Sequence, residues 1–225
     1  TGTVSKANLT TANTFTNKTV TVANTFSGSY TDMTDIYGVR PTEAGGDGVD
    51  ISTASITLTG TINKSKASTV NGYTNKTVTI QTLSDTLSNV TDVYNLRPVG
   101  VGVVDGVSIA SADITVTSAA SKANADTLNT YTTQQVTLQS VEDNYNNLIL
   151  IDGLTSTEVS MAAAAVKVTD SVNKTKVDAL LADTTGTVTI AILDENKSDI
   201  DIIGKNDYGS GPVSYTHLRA HETVV

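Results

Sequence analysis

The sequence predicts an α/β fold made of tandem repeats, a solenoid of parallel strands with short helices on one side. A Thr-Val-Thr type of segment recurs at intervals of 58 residues, with its valines at Val20, Val78 and Val136. A second segment, residues 34–41, recurs as residues 91–98 after 57 residues. Within each copy the spacing of apolar residues changes between two and about 3.6, which indicates strands that alternate with short helices.

Four repeats and a tail follow from these intervals. A short lysine-containing segment precedes the strand in each copy, and we align these segments at Lys6, Lys66, Lys122 and Lys174. The predicted boundaries are 1–54, 55–112 and 113–164 for the first three repeats, 165–208 for a diverged or truncated fourth repeat, and 209–225 for a linker and tail.

Two segments of the second repeat are predicted as half-buried strands. Residues 56–59, Ile-Thr-Leu-Thr, and residues 76–80, Lys-Thr-Val-Thr-Ile, alternate apolar side chains with threonine. Residues 106–109 form a third strand that leads into the next repeat. Parallel strands covered on both faces are continuously apolar, so the alternating threonines indicate that one sheet face is open to water.

Apolar residues at helical spacing predict short helices between these strands. The clearest helical face consists of Leu83, Leu87, Val90 and Tyr94. Ser84 or Asp85 is available as its N-cap. Shorter apolar stripes mark the other helices: Val141, Tyr145 and Leu148; Ala123, Leu128 and Tyr131; and Val177, Leu180 and Leu181.

The order of the elements favours parallel strands joined by helical crossovers. The alternative architecture is a string of all-β sandwich modules with extra turns. The helix content of the protein decides between the two.

Composition limits the classes of function. Aromatic residues make up 4% of the chain, charged residues 16%, and there is no Cys. The net charge of -9 argues against nucleic acid as a partner, and no apolar run approaches the roughly 20 residues of a membrane span. Carboxylates such as Asp32, Asp35, Asp85 and Asp92 lack a partner that would tune them for catalysis. We interpret them as helix caps and solvated surface positions, and predict no enzyme activity and no catalytic residue.

The style of the repeats resembles the long low-complexity repeats of giant bacterial and cyanobacterial surface proteins and RTX-type adhesins. Residues 183–189, Asp-Thr-Thr-Gly-Thr-Val-Thr, carry the closest likeness, and the resemblance covers residues 1 to about 205. It implies an extracellular or cell-surface protein with a structural or adhesive role. Its partners would be neighbouring repeats or subunits of the same protein and surface glycans. The start at Thr1 without an initiator Met is what an internal piece of a longer reading frame would show.

One loop is a calcium candidate. Residues 45–50 fit the Gly-Gly-x-Gly-x-Asp turn that binds Ca²⁺ in RTX proteins, which makes Asp47 and Asp50 the candidate ligands. The pattern occurs once, and Ser52 follows where a large apolar residue is expected. Because a stack of such turns is needed to share each ion, a glycine-rich loop without a cofactor is the favoured interpretation.

Asparagine and threonine suggest two further surface features. Thr57 with Thr59 and Thr77 with Thr79 are similar to the paired threonines on the ice-binding face of β-solenoid antifreeze proteins, although threonine is also the ordinary residue for the wet side of a strand. A calcium-dependent or ice-facing binding module is therefore the alternative function. Acceptor sequences for glycosylation, about as many as chance gives, occur at Asn8, Asn17, Asn63, Asn75, Asn89, Asn173 and Asn196.

The tail fits no repeat. Residues 213–223 resemble the translation of a transposase-based sequencing adapter, which implies a fragment assembled from environmental DNA and a tail that is not native. His217 and His221 have the i, i+4 spacing of a helical metal pair, an interpretation that the resemblance displaces. We expect the tail to be disordered or to carry an arbitrary local structure.

Overall fold

The computed structural model describes residues 2–100, 102–152, 158–195, 213–215 and 218–220. The chain forms two compact units, Thr1–Ile114 and Thr115–Val225. The described residues contain seven helices and mostly parallel strands, which confirms the α/β class and shows that the all-β alternative is wrong. None of these helices is long and apolar enough to cross a membrane.

Unit 1 alternates short helices with parallel strands. Its elements are α1 Lys6–Thr14, β1 Thr19–Thr21, β2 Thr25–Ser29, α2 Tyr30–Gly38, β3 Gly48–Asp50, β4 Ser55–Ile62, α3 Lys64–Asn71, β5 Thr77–Asp85, α4 Leu87–Asn95 and β6 Gly106–Ser108. Strands β2, β4, β5 and β6 pair in this order, each parallel to the next. Strands β1 and β3 form a second parallel pair.

Unit 2 repeats this alternation. Its elements are β7 Asp113–Ala120, which begins just before the unit boundary, α5 Lys122–Asn129, β8 Val136–Asp143, α6 Tyr145–Asp152, β9 Val159–Ser160, β10 Ala165–Val172, α7 Lys174–Asp183, β11 Val188–Glu195, β12 Val213–Tyr215 and β13 Leu218–Ala220. Strand β8 lies next to β7 and pairs in parallel with β9 and β10. Strand β10 pairs in parallel with β11.

The strands bury one face and leave the other partly open. In β4 and β5, Thr57 and Thr79 are half-buried on the open face. The alternate positions are fully buried: Ile56, Leu58, Val78 and Ile80. The helices contribute further buried residues to the core, such as Ala67 and Val70 of α3. This alternation confirms the prediction from the threonine pattern that one face of the sheet meets water.

The first helix of each copy begins at a lysine that follows a capping residue. Helices α1, α3, α5 and α7 begin at Lys6, Lys64, Lys122 and Lys174. Their N-caps Ser5, Asn63, Ser121 and Asn173 each accept a hydrogen bond from the backbone three residues on. The sequence alignment at Lys66 was therefore wrong by two residues, because Asn63 takes the place of a capping serine. Strands β4, β7 and β10 begin at residues 55, 113 and 165, where the repeat boundaries were drawn.

The predicted helix from Leu83 to Tyr94 was wrong at its start. Strand β5 continues through Asp85, and Leu83 pairs with Ile62 of β4. Helix α4 begins only at Leu87, with Thr86 as N-cap. The last inward residue of the strand lies four residues before the first helical residue and so imitates helical spacing. Val141 of β8 misled the prediction in the same way.

The other predicted stripes hold in part. Val177, Leu180 and Leu181 are the buried residues of α7. In α5 the buried residues are Ala125 and Leu128, whereas Ala123 is exposed and Tyr131 follows the end of the helix.

A β-bulge recurs at the same place in two copies. Register shifts between Leu58 and Thr61 of β4 relative to β5, and between Val168 and Ser171 of β10 relative to β11. Across each shift the first strand has one residue more than its partner, and Ile62 and Val172 beyond it are buried.

Two short segments of the tail pair with β11. Val213 lies opposite Val188, and Leu218 lies opposite Leu193, both in parallel. Disorder, one of the two outcomes expected for the tail, is therefore wrong for the backbone of β12 and β13. An edge strand offers unpaired backbone groups that can accept an extended segment of many sequences, so the pairing does not bear on the origin of the tail. His217 and His221 lie outside the described residues.

Candidate functional site

The acidic side chains at the ends of the long strands cap two helices each. Oδ2 of Asp85 accepts a hydrogen bond from the backbone of Lys64 at the start of α3 (2.9 Å). Oδ1 accepts from the backbone of Thr86 and from the side chain of Asn89 at the start of α4, both at 2.8 Å. A carboxylate is favoured at helix N-termini, where backbone amides lack partners. Asp85 thus caps two helices through its carboxylate, but the prediction of Ser84 or Asp85 as the N-cap is wrong, because Thr86 is the N-cap of α4.

Asp143 repeats this arrangement in unit 2. Its Oδ2 accepts from the backbone of Lys122 (3.0 Å), and its Oδ1 from the backbone of Asn144 and the side chain of Asn147 (both 2.8 Å). Burial acts to raise the pKa of Asp85 and of Asp143, but these hydrogen bonds outweigh it and hold each pKa below its ordinary value.

In the first copy, a different pair of residues stands at the N-terminus of the second helix. Gly28 replaces the strand aspartate and Asp32 replaces the helix asparagine of the Asp85 and Asn89 pair. Asp32 accepts hydrogen bonds from the backbone and hydroxyl of Ser29, which completes a capping box. Hydrogen bonds from the Ser29 backbone and side chain, with a smaller contribution from Lys6, lower the pKa of Asp32.

The lysine that begins each first helix forms an ion pair. In the first two copies it reaches the second helix: Lys6 binds Asp35, and Lys64 binds Asp92 (2.6 Å). In the last two copies it binds one turn along its own helix, in the pairs Lys122 with Asp126 and Lys174 with Asp178, both at 2.6 Å. Asp35 and Asp92 are therefore surface partners of lysines, and such exposed pairs contribute at most about 1 kcal/mol each.

In each unit a buried threonine links one copy to the copy before it. The hydroxyl of Thr74 donates to the carbonyl of Ala54 (2.6 Å), and that of Thr184 donates to the carbonyl of Ala164 (2.7 Å). The same oxygens accept from the backbone two residues on, at Lys76 and Gly186. Thr74 and Thr184 are 8% and 2% exposed. Thr74 and Thr184 were not predicted as functional positions, although they recur with the repeat interval.

Aromatic rings also join consecutive copies. In unit 1 the rings of Tyr37 and Tyr73 stack 3.8 Å apart, and the guanidinium of Arg40 lies 4.0 Å from the Tyr37 ring. Burial, with the neighbouring tyrosines, raises the pKa of Tyr73. The ammonium of Lys66 lies 5.8 Å from the ring of Tyr30 at the start of α2. In unit 2, Lys176 and Tyr145 form the equivalent contact at 4.9 Å.

The calcium candidate loop forms other bonds. Asp50 ends β3, and its Oδ1 accepts from the backbone of Ser52 (2.9 Å), while Asp47 is exposed. The carbonyl of Gly46 accepts from the hydroxyl of Thr19 (2.7 Å). A groove of about 420 Å³ beside the loop includes Arg40, whose positive charge disfavours a cation there.

A glycine of this loop has a packing role. Gly48 has φ +140°, and a β-carbon there would lie 2.4 Å from the carbonyl oxygen of Val39 at the end of α2. Gly106, at φ +137°, approaches the carbonyl of Leu96 at the end of α4 equally closely. The glycine therefore lets the chain cross the end of a helix, which accounts for part of the calcium-like pattern.

The predicted glycan acceptors lie at several kinds of position. Asn8, Asn17 and Asn75 are exposed, and Asn63 and Asn173 are exposed N-caps whose Oδ1 atoms accept helix amides. The side-chain nitrogen of Asn89 donates to Asp85, so a glycan there would disturb the cap. Asn196 lies outside the described residues.

The open face of unit 1 carries small hydroxyl side chains in register. Ser27, Thr57, Thr79 and Ser108 lie on neighbouring strands at matching positions. In unit 2 the comparable row includes Glu142 and Lys167, which form an ion pair of 2.7 Å. Thr137 and Ser160 also lie opposite each other in unit 2, and Thr61 lies opposite Thr82 beyond the bulge of β4, so paired hydroxyl residues occur in both units.

Within the part of the chain that the structure describes, no three His, Cys, Asp or Glu side chains come together as a metal-binding group. No known protein family, curated protein or solved structure matches the chain.

Proposed function

We propose that the chain is a structural or adhesive repeat segment of a large extracellular surface protein or filament, without catalysis, and that its repeats continue as an α/β solenoid. The contacts between consecutive copies carry this proposal. The Thr74 hydroxyl bond to Ala54 and the Tyr37 stack on Tyr73 join copies in unit 1, and the Thr184 bond to Ala164 joins copies in unit 2. Repeats that bury their apolar faces and satisfy their polar groups through neighbours form extended arrays.

The order of strand pairing supports the solenoid. Strands β2, β4 and β5 are neighbours in space in the order of the sequence, and each is parallel to the next. Parallel strands joined by right-handed crossovers place all connecting helices on one side. Contacts of α1 with α2, α2 with α3 and α3 with α4 agree with such a row. Two strands per repeat give a rise of about 10 Å, at roughly 4.8 Å per strand.

The surface role rests on the resemblance of the repeats to those of giant surface proteins and adhesins. The acidic side chains have structural roles, which agrees with a segment without catalysis: Asp85 and Asp143 cap helices, and Asp92 pairs with Lys64. The half-buried threonines of the open face form a surface that unit 1 offers to a glycan or to another protein.

Small-angle scattering tests the solenoid. A second copy of residues 55–112 is inserted after residue 112, so that strand register is kept. We expect the longest dimension to grow by about 10 Å with an unchanged cross-section. If the cross-section widens and the radius of gyration follows the scaling of a compact domain, about 17 Å for the natural length, the solenoid is wrong.

Binding assays test the adhesive version of the role. Beads coated with the natural chain are mixed with immobilised polysaccharides and bacterial cells, beside beads coated with the open-face variant Thr57→Glu/Thr79→Glu. Retention of the natural beads alone supports adhesion through the open face. Equal retention of both kinds of bead counts against it and favours a purely structural segment.

A further inference from the structure

The end of unit 1 formed by α1 and β1 exposes side chains that are covered elsewhere. Phe15 is 82% exposed, although it occupies the position of Tyr73, one repeat interval later. The ring of Tyr73 is covered by Tyr37 of the preceding copy. Because the equivalent ring of Tyr73 stacks on a tyrosine of the preceding copy, the exposure of Phe15 indicates a contact position without its partner.

Two more residues at this end are less buried than their equivalents one repeat later. Thr16 is exposed and accepts a bond from the Lys18 backbone, whereas the equivalent Thr74 is buried and also donates to Ala54. Val20 is half-buried, whereas the equivalent Val78 is fully buried beside its strand partner Ile56. Phe15, Thr16 and Val20 are therefore each less buried than their equivalents one repeat later.

The strand register specifies where such a neighbour would join. Residues 1–4, Thr-Gly-Thr-Val, are equivalent to residues 59–62, Thr-Gly-Thr-Ile. Val4 bridges to Phe26 in parallel, and the equivalent Ile62 pairs with Leu83. In a preceding copy, the residue equivalent to Leu58 of β4 would therefore come directly before Thr1. The strand that ends at this residue would lie beside β1, as Ile56 of β4 lies beside Val78 of β5.

The sequence of α1 indicates which kind of copy fits. Lys66 and Lys176 are each the third residue of the first helix of a copy. In both cases the second helix of the copy before it begins with a tyrosine, and the lysine contacts this tyrosine. Asn8 and Asn124 stand at this position in the other two copies, and residues 5–8 and 121–124 are both Ser-Lys-Ala-Asn. The copy that precedes Asn124 in the chain begins its second helix with Leu87. The matching partner therefore begins with leucine.

We propose that this end of unit 1 is a docking surface for another repeat of the same type. The part of that repeat that docks corresponds to residues 87–116, which contain a second helix, a loop and a strand. The Tyr94 equivalent stacks on Phe15, the Arg97 equivalent covers that tyrosine as Arg97 does at 3.9 Å, and the strand covers Val20. The Thr16 hydroxyl then donates to a carbonyl of the incoming chain. The proposal rests on the proposed repeat array and names the partner of its exposed end.

A fusion tests the docking. A duplicate of residues 87–116 is placed directly before Thr1 of the full chain, and a control fusion carries Tyr94→Ala/Arg97→Ala in the duplicate only. Phe15→Ala is then introduced into the natural chain and into both fusions. Urea unfolding gives the folding constant, and hydrogen exchange of residues 15–22 reports the local contact.

We expect Phe15→Ala to change the folding constant less than about twofold in the natural chain, where the ring is exposed. In the matched fusion we expect a loss of at least about tenfold and slower exchange of residues 15–22 than in the natural chain. The control fusion should lose most of the sensitivity to Phe15→Ala.

Equal sensitivity in the natural chain and the matched fusion, or unchanged exchange of residues 15–22, overturns the proposal. A dimer of the natural chain in sedimentation that dissociates with Phe15→Ala also overturns it, because a second copy of the chain would then be the occupant. The scattering test uses an insertion after residue 112, so it can succeed or fail independently of this surface.

Discussion

The carboxylate of Asp85 accepts a hydrogen bond from the backbone of Lys64, 2.9 Å away and 21 residues earlier in the sequence. The same carboxylate caps the helix that follows it. Asp85→Asn removes one charged acceptor from two helix ends, and we expect it to lower the free energy of unfolding by about 1–2 kcal/mol at pH 7. Urea unfolding measures the loss.

The pH dependence of this loss follows from the lowered pKa of Asp85. A carboxyl whose pKa is lower in the folded state stabilises above its unfolded pKa, about 3.9, and this stabilisation is lost as the pH falls through the folded pKa. The difference between the natural chain and Asp85→Asn should therefore shrink below about pH 4. Asp113→Asn, at an exposed carboxylate, is the control and should stay within about 0.5 kcal/mol of the natural chain. An equal loss in both variants would exclude the cap.

Gly28 and Asp32 form an alternative to the Asp85 and Asn89 pair, and the two solutions should be exchangeable only together. A β-carbon at Gly28 would lie 3.0 Å from that of Asp32, and Gly28→Asp would set two carboxylates side by side. We expect Gly28→Asp to destabilise by about 1 kcal/mol or more, and Gly28→Asp/Asp32→Asn to recover that loss. A double-mutant cycle measures the coupling, and additive effects of the two substitutions would contradict this account.

The buried hydroxyl of Thr74 should matter more than the exposed hydroxyl of its equivalent. Thr74→Val leaves the carbonyl of Ala54 and the amide of Lys76 without this partner, and we expect a loss of about 1–2 kcal/mol. Thr16→Val is the matched control, with an expected change below about 0.5 kcal/mol. Thr74→Ser keeps the hydroxyl and should lie between the two in thermal unfolding. A control that loses as much as Thr74→Val would disprove the role of burial.

Chelator should leave the protein unchanged if the loop at residues 45–50 is a packing feature. Thermal unfolding in EDTA and in millimolar Ca²⁺ should give the same midpoint, because an ion that binds only the folded chain would raise it. Asp50→Asn should also not alter the response to Ca²⁺. A rise of the midpoint with Ca²⁺ that Asp47→Asn or Asp50→Asn abolishes would instead establish the calcium-dependent alternative.

Deletion of residues 210–225 tests the origin of the tail. If these residues derive from an adapter, the loss of β12 and β13 from the edge of β11 should change the free energy of unfolding by less than about 0.5 kcal/mol. Urea unfolding of the shortened chain measures this directly. A loss of several kcal/mol would show that the two strands complete the sheet and belong to the protein.

Much of the fold could be predicted from the sequence because the repeat interval and the alternation of threonine with apolar residues are local signals. The boundary between β5 and α4 could not be predicted. Leu83, the last buried residue of the strand, stands four residues before the first residue of the helix and so continues the helical spacing. Asp85 was identified as a cap, but its bond to Lys64 depends on pairing between distant segments. The Tyr37 and Tyr73 stack joins residues too far apart in sequence for any local pattern to reveal it.

The acceptors of the Thr74 and Thr184 hydroxyls are backbone carbonyls, which every residue type possesses. The link between copies therefore makes no demand on the side chain that the preceding copy supplies at that point. Recombination that removes or duplicates a whole repeat leaves the hydroxyl with an acceptor. The coupled choice between Gly28 with Asp32 and Asp85 with Asn89 lies inside a single copy, so it travels intact with that copy. A gene built in this way can lengthen or shorten by whole repeats while each junction stays satisfied.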